Sequence, residues 1–162
     1  MPSRSSKRRR RPVPAKPRIK PFLVLLLALL PATAWGLDFR SVAASRAVLY
    51  DAPSTQAKKL FVVGQYYPVE VIVNLGEWIK VRDSRGELAW IEASKLAQKR
   101  TVLVTVAQAE VRKAADVSAS PVFRAEKDVM LELLEPASNG WAKVRHRDGL
   151  TGYIQSSQAW GL

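Results

Sequence analysis

The sequence predicts an all-β protein: two tandem small β-barrels behind an N-terminal signal or anchor helix. Three observations lead there. The first 34 residues form a basic and then apolar leader unlike anything after it. The rest of the chain repeats itself at a spacing of about 63 residues. Within each copy, short segments alternate apolar and polar residues and are separated by turn signals.

The leader comes first. Nine Lys and Arg lie within residues 1–20, together with Pro12, Pro14 and Pro17 and no acid. Residues 22–30 form an unbroken apolar run, followed by Pro31 and Ala32-Thr33-Ala34. A positive segment, a short apolar segment and small residues at alternate positions are the layout of a secretory signal peptide. The basic end stays on the cytoplasmic side while the apolar stretch enters the lipid. Cleavage is expected after Ala34. The apolar zone from Phe22 to Leu37 is interrupted by Pro31 and is shorter than the roughly 20 residues a membrane span needs. The expected location is therefore the periplasm. An uncut leader would make the protein an N-in inner-membrane anchor with everything else outside.

Charge and composition then exclude several classes of function. The 162 residues carry 26 Lys+Arg against 14 Asp+Glu, a net charge of +12. Without the leader's nine, 17 basic residues face the same 14 acids, so the folded part is nearly balanced. The high total is no sign of a nucleic-acid partner, and none is expected. The absence of Cys excludes a disulfide scaffold, a thiolate zinc site and a cysteine nucleophile. His146, the single histidine, sits between Arg145 and Arg147 and reads as a surface residue at a strand end. Neither a Ser-His-Asp arrangement nor paired carboxylates nor a phosphate-cradling loop is readable. No enzyme activity, cofactor or metal is expected. Asp116 and Asp128 read as turn or loop residues.

The repeat is visible residue by residue. Val48 matches Val111, Ala52 matches Ala115, Trp78 matches Trp141, and Lys80-Val81-Arg82 matches Lys143-Val144-Arg145. Gly86, Trp90 and Ile91 match Gly149, Tyr153 and Ile154. These pairs share one spacing. In the middle the spacing slips by one, so that Phe61, Val69 and Val71 match Phe123, Leu131 and Leu133. The loop before the central Trp, Asn74 to Glu77 in copy one and Pro136 to Gly140 in copy two, restores the period. The copies are expected at 38–97 and 101–162. Ala97 to Arg100 forms a joint short enough that the barrels touch.

Each copy reads as strands. Val69 to Val73 is rich in β-branched residues. Trp78 to Arg82 alternates strictly, Asp83 to Gly86 is a turn, and Leu88 to Glu92 completes a hairpin. Copy two repeats this as Trp141 to Arg145, a turn ending at Asp148-Gly149, and Thr151 to Gln155. Little helix is expected after the leader.

Each copy resembles a bacterial SH3 (SH3b, SH3-like) domain. The resemblance rests on Gly76-Glu-Trp78-Ile-Lys-Val81 and Gly140-Trp141-Ala-Lys-Val144. The closing elements Gly86-Glu-Leu-Ala-Trp90-Ile91 and Gly149-Leu-Thr-Gly152-Tyr153-Ile154 extend it. It covers residues 40–160. The opening element departs from the family pattern. Copy two keeps Val111-Arg112 without the proline, and copy one has Tyr50 near the expected arginine. The resemblance implies two tandem SH3-like barrels and a groove for a peptide or cell-wall peptide.

Strand alternation sorts the candidate binding residues by face. Ile79 and Val81 point inward, which sends Trp78, Lys80 and Arg82 outward together. Ala142 and Val144 do the same for Trp141, Lys143 and Arg145. Trp90 and Tyr153 join the outer faces of the next strands, and Tyr66 and Tyr67 add to the surface of copy one. Half-exposed indoles beside cations can stack on a sugar face or a peptide proline, with Lys80, Arg82, Lys143 and Arg145 attracting carboxylates. A structural alternative has each Trp closing the end of its barrel or packing against the neighbouring copy, with Lys80 and Arg82 laid over the ring of Trp78. The expected function is an exported, non-enzymatic binding module of the cell envelope for peptidoglycan stem peptides or peptide segments of an envelope protein. Its rival is a membrane-tethered scaffold docked on one protein partner.

Overall fold

The computed structural model describes residues 37–162. The leader and its cleavage site lie outside the described residues. Among these residues, fourteen strands make two seven-stranded antiparallel sheets. In the first, β1 (Phe39–Val42), β2 (Arg46–Tyr50), β3 (Lys59–Gly64), β4 (Pro68–Asn74), β5 (Trp78–Arg82), β6 (Leu88–Glu92) and β7 (Leu96–Ala97) take the order β3-β2-β6-β5-β4-β1-β7. In the second, β8 (Thr101–Val104), β9 (Gln108–Arg112), β10 (Pro121–Glu126), β11 (Met130–Ser138), β12 (Trp141–Arg145), β13 (Thr151–Gln155) and β14 (Ala159–Trp160) repeat that order strand for strand. The protein is thus all-β, with two tandem units of one topology. The only helical elements among the described residues are single 3-10 turns at Ala93–Lys95 and Ser156–Gln158.

Each sheet wraps its own core. The first encloses Val42, Ala47, Leu49, Val69, Ile79, Val81, Ala89 and Ile91. The second encloses Val102, Val104, Ala109, Val111, Ala125, Leu131, Ala142, Val144 and Ile154. Full burial of a side chain such as Leu49, Ile79 or Leu131 stabilises by roughly 1.5–3 kcal/mol. The four expected hairpin strands, β5, β6, β12 and β13, run over the residues the alternation marked.

The cores correct the repeat alignment in one place. From β1 and β8 through β4 and β11, corresponding strands are 62 residues apart, and the spacing becomes 63 only from β5 and β12 onward. The counterpart of core residue Val111 is therefore Leu49, not Val48, and Ala52 aligns with Ala114. The reason is parity. Val48 is half-buried on the outer side of β2, and a one-residue slip in a strand exchanges its faces. The extra residue enters at the β11–β12 hairpin, where Asn139 (φ 50°) and Gly140 (φ 81°) form a tight left-handed turn. The β4–β5 hairpin closes differently, with Asn74 Oδ1 accepting a bond from the Gly76 amide at 2.9 Å.

The two sheets belong to one compact unit, Gly36–Leu162. All four residues of β8 are buried. Val102 and Val104 point into the second core, and the Thr101 hydroxyl donates to the Tyr66 carbonyl of the first barrel. Phe39 of β1 meets Trp160 of β14 edge-on, ring centroids 5.1 Å apart. The Arg100 guanidinium lies over Phe39 and donates to the Gly161 carbonyl at 2.9 Å. Gly161 has φ 106°, and a Cβ there would stand 2.8 Å from the Thr101 carbonyl and 3.4 Å from Pro68. The barrels therefore touch.

Candidate functional site

The antiparallel register builds an aromatic and cationic ridge on the outer face of the first barrel. Lys80 pairs across the strands with Trp90, and Trp78 pairs with Glu92. The Lys80 ammonium rests 5.8 Å from the Trp90 ring centroid. The cation thus covers Trp90 and not Trp78, because cross-strand neighbours on one face stand closer than residues two apart along a strand. Trp78 instead stands edge-on to the buried Tyr50, centroids 5.5 Å apart and planes at 83°. Tyr50 pairs with Trp90 from the other side. The indoles of Trp78 and Trp90 are both half-buried.

The second barrel repeats the geometry with two changes, Tyr153 for Trp90 and Arg112 for Tyr50. Lys143 pairs with Tyr153 and its ammonium sits 5.9 Å from that ring. Trp141 is half-buried at the same strand position as Trp78. Where the first barrel has Tyr50 beside Trp90, the second has Arg112 beside Tyr153. Arg112 donates to the Ala119 carbonyl at 2.7 Å and to Glu110 at 2.6 Å.

Three of the four expected ligand-attracting cations are bound within the protein. Arg82 makes two bonds to Glu70, at 2.8 and 2.9 Å, and that hydrogen bonding and charge raise its pKa. Lys143 bonds to Glu135 at 2.7 Å, which raises its pKa too. Arg145 bonds to Glu132 at 2.9 Å. Each carboxylate lies on the neighbouring strand, so pairing follows from register. Of these four, Lys80 alone has no acidic partner among the described residues.

Beside Trp78 lies a groove of about 560 Å³. The turn Pro53-Ser54-Thr55 forms one wall, and Glu77, Glu92 and Ser94 line the other parts. Glu92 is reached by Lys95 at 3.5 Å. The corresponding positions of Glu77 and Glu92 in the second barrel are Gly140 and Gln155. The two acids beside Trp78 therefore have uncharged counterparts in the second barrel.

Tyr66 and Arg145 lie elsewhere than the ridges. They line a cleft of about 350 Å³ between the barrels, together with Lys99, Glu132, His146 and Arg147. Tyr67, expected at the surface, packs against the first core, and its hydroxyl is 3.3 Å from Ser84 Oγ. The sequence reading missed Lys99 and Arg147 as site residues. They are far apart along the chain from Tyr66, and only the docking of the barrels gathers them. A visible signal was Tyr66 itself, an aromatic residue where the second copy has the turn-former Asp128.

Comparison with known proteins places these units. The bacterial SH3 domain family matches residues 43–98 and again 105–161. No curated protein matches the chain. Among solved structures it is similar to NlpC2 from Trichomonas vaginalis, at 14% identity and a TM-score of 0.36, over 77% of this chain and 48% of that one. NlpC1 from the same organism gives 15% identity and a TM-score of 0.36, over 79% and 47%. An NlpC/P60 family protein from Bacillus cereus ATCC 10987 gives 16% and 0.35, over 75% and 55%. The chain spans about half the length of these structures.

Proposed function

Because the chain belongs to the bacterial SH3 domain family, we propose that it is a binding module of the cell envelope that captures short peptides, peptidoglycan stem peptides first among them. The observation that carries the reading is the groove at Trp78. A half-buried indole forms its floor beside Pro53, with hydroxyls and carboxylates at its edge. Such a surface stacks on an extended peptide backbone or an apolar side chain, while Ser54, Thr55 and Ser94 offer hydrogen bonds. Glu77 and Glu92 favour the amino groups of a stem peptide over its carboxylates. Trp141 offers a second platform on the second barrel. Two weak contacts held in one unit raise the apparent affinity through effective concentration. The leader supports export to the periplasm, where this ligand is found. If the leader stays uncut, the same barrels face the wall from an inner-membrane anchor. No catalytic role is proposed.

Co-sedimentation with purified cell-wall sacculi tests the reading. The protein is expected to pellet with sacculi at low salt, and Trp78→Ala is expected to release most of it while melting near the parent temperature. Trp78→Phe, which keeps a flat ring, should retain part of the capture. A parent protein that stays in the supernatant removes the wall-binding reading.

A further inference from the structure

We propose that the cleft between the two barrels is a separate anion site that takes a peptide carboxylate. The inference rests on the peptide-binding reading above and adds to it a second position with opposite charge preference. Three cationic side chains, Lys99, Arg145 and Arg147, line the cleft beside the His146 imidazole, against one acid, Glu132. Lys99 and Arg145 share that acid, at 3.1 and 2.9 Å. One carboxylate between two cations leaves a surplus of positive charge. Arg147 is exposed and has no acidic partner among the described residues, so its guanidinium is free to make the paired bonds a carboxylate accepts. His146 holds Asp148 through Nδ1 at 2.8 Å, outside this count.

Tyr66 gives the cleft a flat wall. The residue is 42% exposed, and its ring lies 5.2 Å under the Lys99 ammonium. Its backbone is left-handed, with φ 68°. The corresponding residue of the second barrel, Asp128, has φ 67°, so the turn itself demands this conformation. Aspartate adopts it readily and a bulky aromatic residue does not. An aromatic side chain kept at a position that penalises it, with the Lys99 ammonium over its ring, suits a ligand carrying both a carboxylate and an apolar or planar part.

The test uses a synthetic stem tetrapeptide and the same peptide with its carboxylates converted to amides, each titrated into the full chain. The acid form is expected to bind about tenfold more tightly than the amide, the effect of one or two partly exposed ion pairs. It should also shift the backbone NMR signals of Tyr66, His146 and Gly149. Arg147→Gln, at an exposed position that leaves the fold alone, should weaken the acid form about fivefold and leave the amide unchanged. Equal binding of the two forms, or acid-form shifts confined to the Trp78 groove, overturns the anion site. A protein that pellets with sacculi yet ignores the acid-to-amide change loses the cleft and keeps the wall reading. One that binds the acid form at Tyr66 without pelleting keeps the cleft and loses the wall reading.

Discussion

The Thr101 hydroxyl donates a 2.7 Å hydrogen bond to the backbone carbonyl of Tyr66. This bond ties the first residue of β8 to the strained turn of the first barrel. Thr101 is buried, so its hydroxyl cannot turn to water instead. Thr101→Val keeps the shape and removes the donor. It is expected to destabilise the protein by about 0.5–1.5 kcal/mol, the net contribution of one hydrogen bond. Urea denaturation followed by Trp fluorescence measures this, and an unchanged midpoint would show that the bond contributes nothing.

Tyr66 should be replaceable with a gain in stability. Tyr66→Asn accepts the left-handed turn and keeps the carbonyl that Thr101 needs. Relief of the backbone strain is expected to raise stability by about 1 kcal/mol. The same variant removes the aromatic wall of the cleft and should weaken the acid-form peptide. A fall in melting temperature would show that the ring's packing outweighs its backbone cost.

Gly152 marks a close approach in the second barrel. A Cβ there would meet the Arg112 carbonyl at 2.6 Å and Val111 Cγ1 at 2.8 Å. The first barrel carries Ala89 at the corresponding position, so composition alone suggests that alanine fits. Gly152→Ala is instead expected to cost about 1–3 kcal/mol, because a backbone carbonyl cannot move aside cheaply. Thermal unfolding checks it, and a variant as stable as the parent would contradict the packing described.

Glu132 links acidity to stability. Burial pushes its carboxyl up, but hydrogen bonds from Arg145 and Lys99, with their charges, hold it below the ordinary carboxylate range. A carboxyl whose pKa is lowered by folding stabilises the protein above its unfolded pKa and loses that contribution as pH falls through the folded one. Acid titration should therefore show Glu132→Gln less stable than the parent at neutral pH, with the difference shrinking below about pH 4. A difference that stays constant with pH would rule out the ion pairs as its source.

How much was legible depended on the range of the interactions involved. β5, β6, β12 and β13 were readable because alternation is a property of neighbours, and the inward Ile79 and Val81 force Trp78 and Lys80 outward. Tyr50 beside Trp78 was not, since edge-on packing needs the β2–β6 pairing. The slip at Val48 came from the same limit: Val48 and Leu49 are equally apolar, and only the core decides which of them matches Val111.

By itself the sequence determined the duplication, the all-β class and the face on which Trp78, Trp90, Trp141 and Tyr153 stand. Each follows from residue type and a period of two. Tertiary structure alone decided which partner each charge takes. Arg82, Lys143 and Arg145 reach Glu70, Glu135 and Glu132 through strand register, and Tyr66, Lys99 and Arg147 meet because one barrel docks on the other. Register and docking bring together residues distant along the chain, and no local pattern encodes that distance.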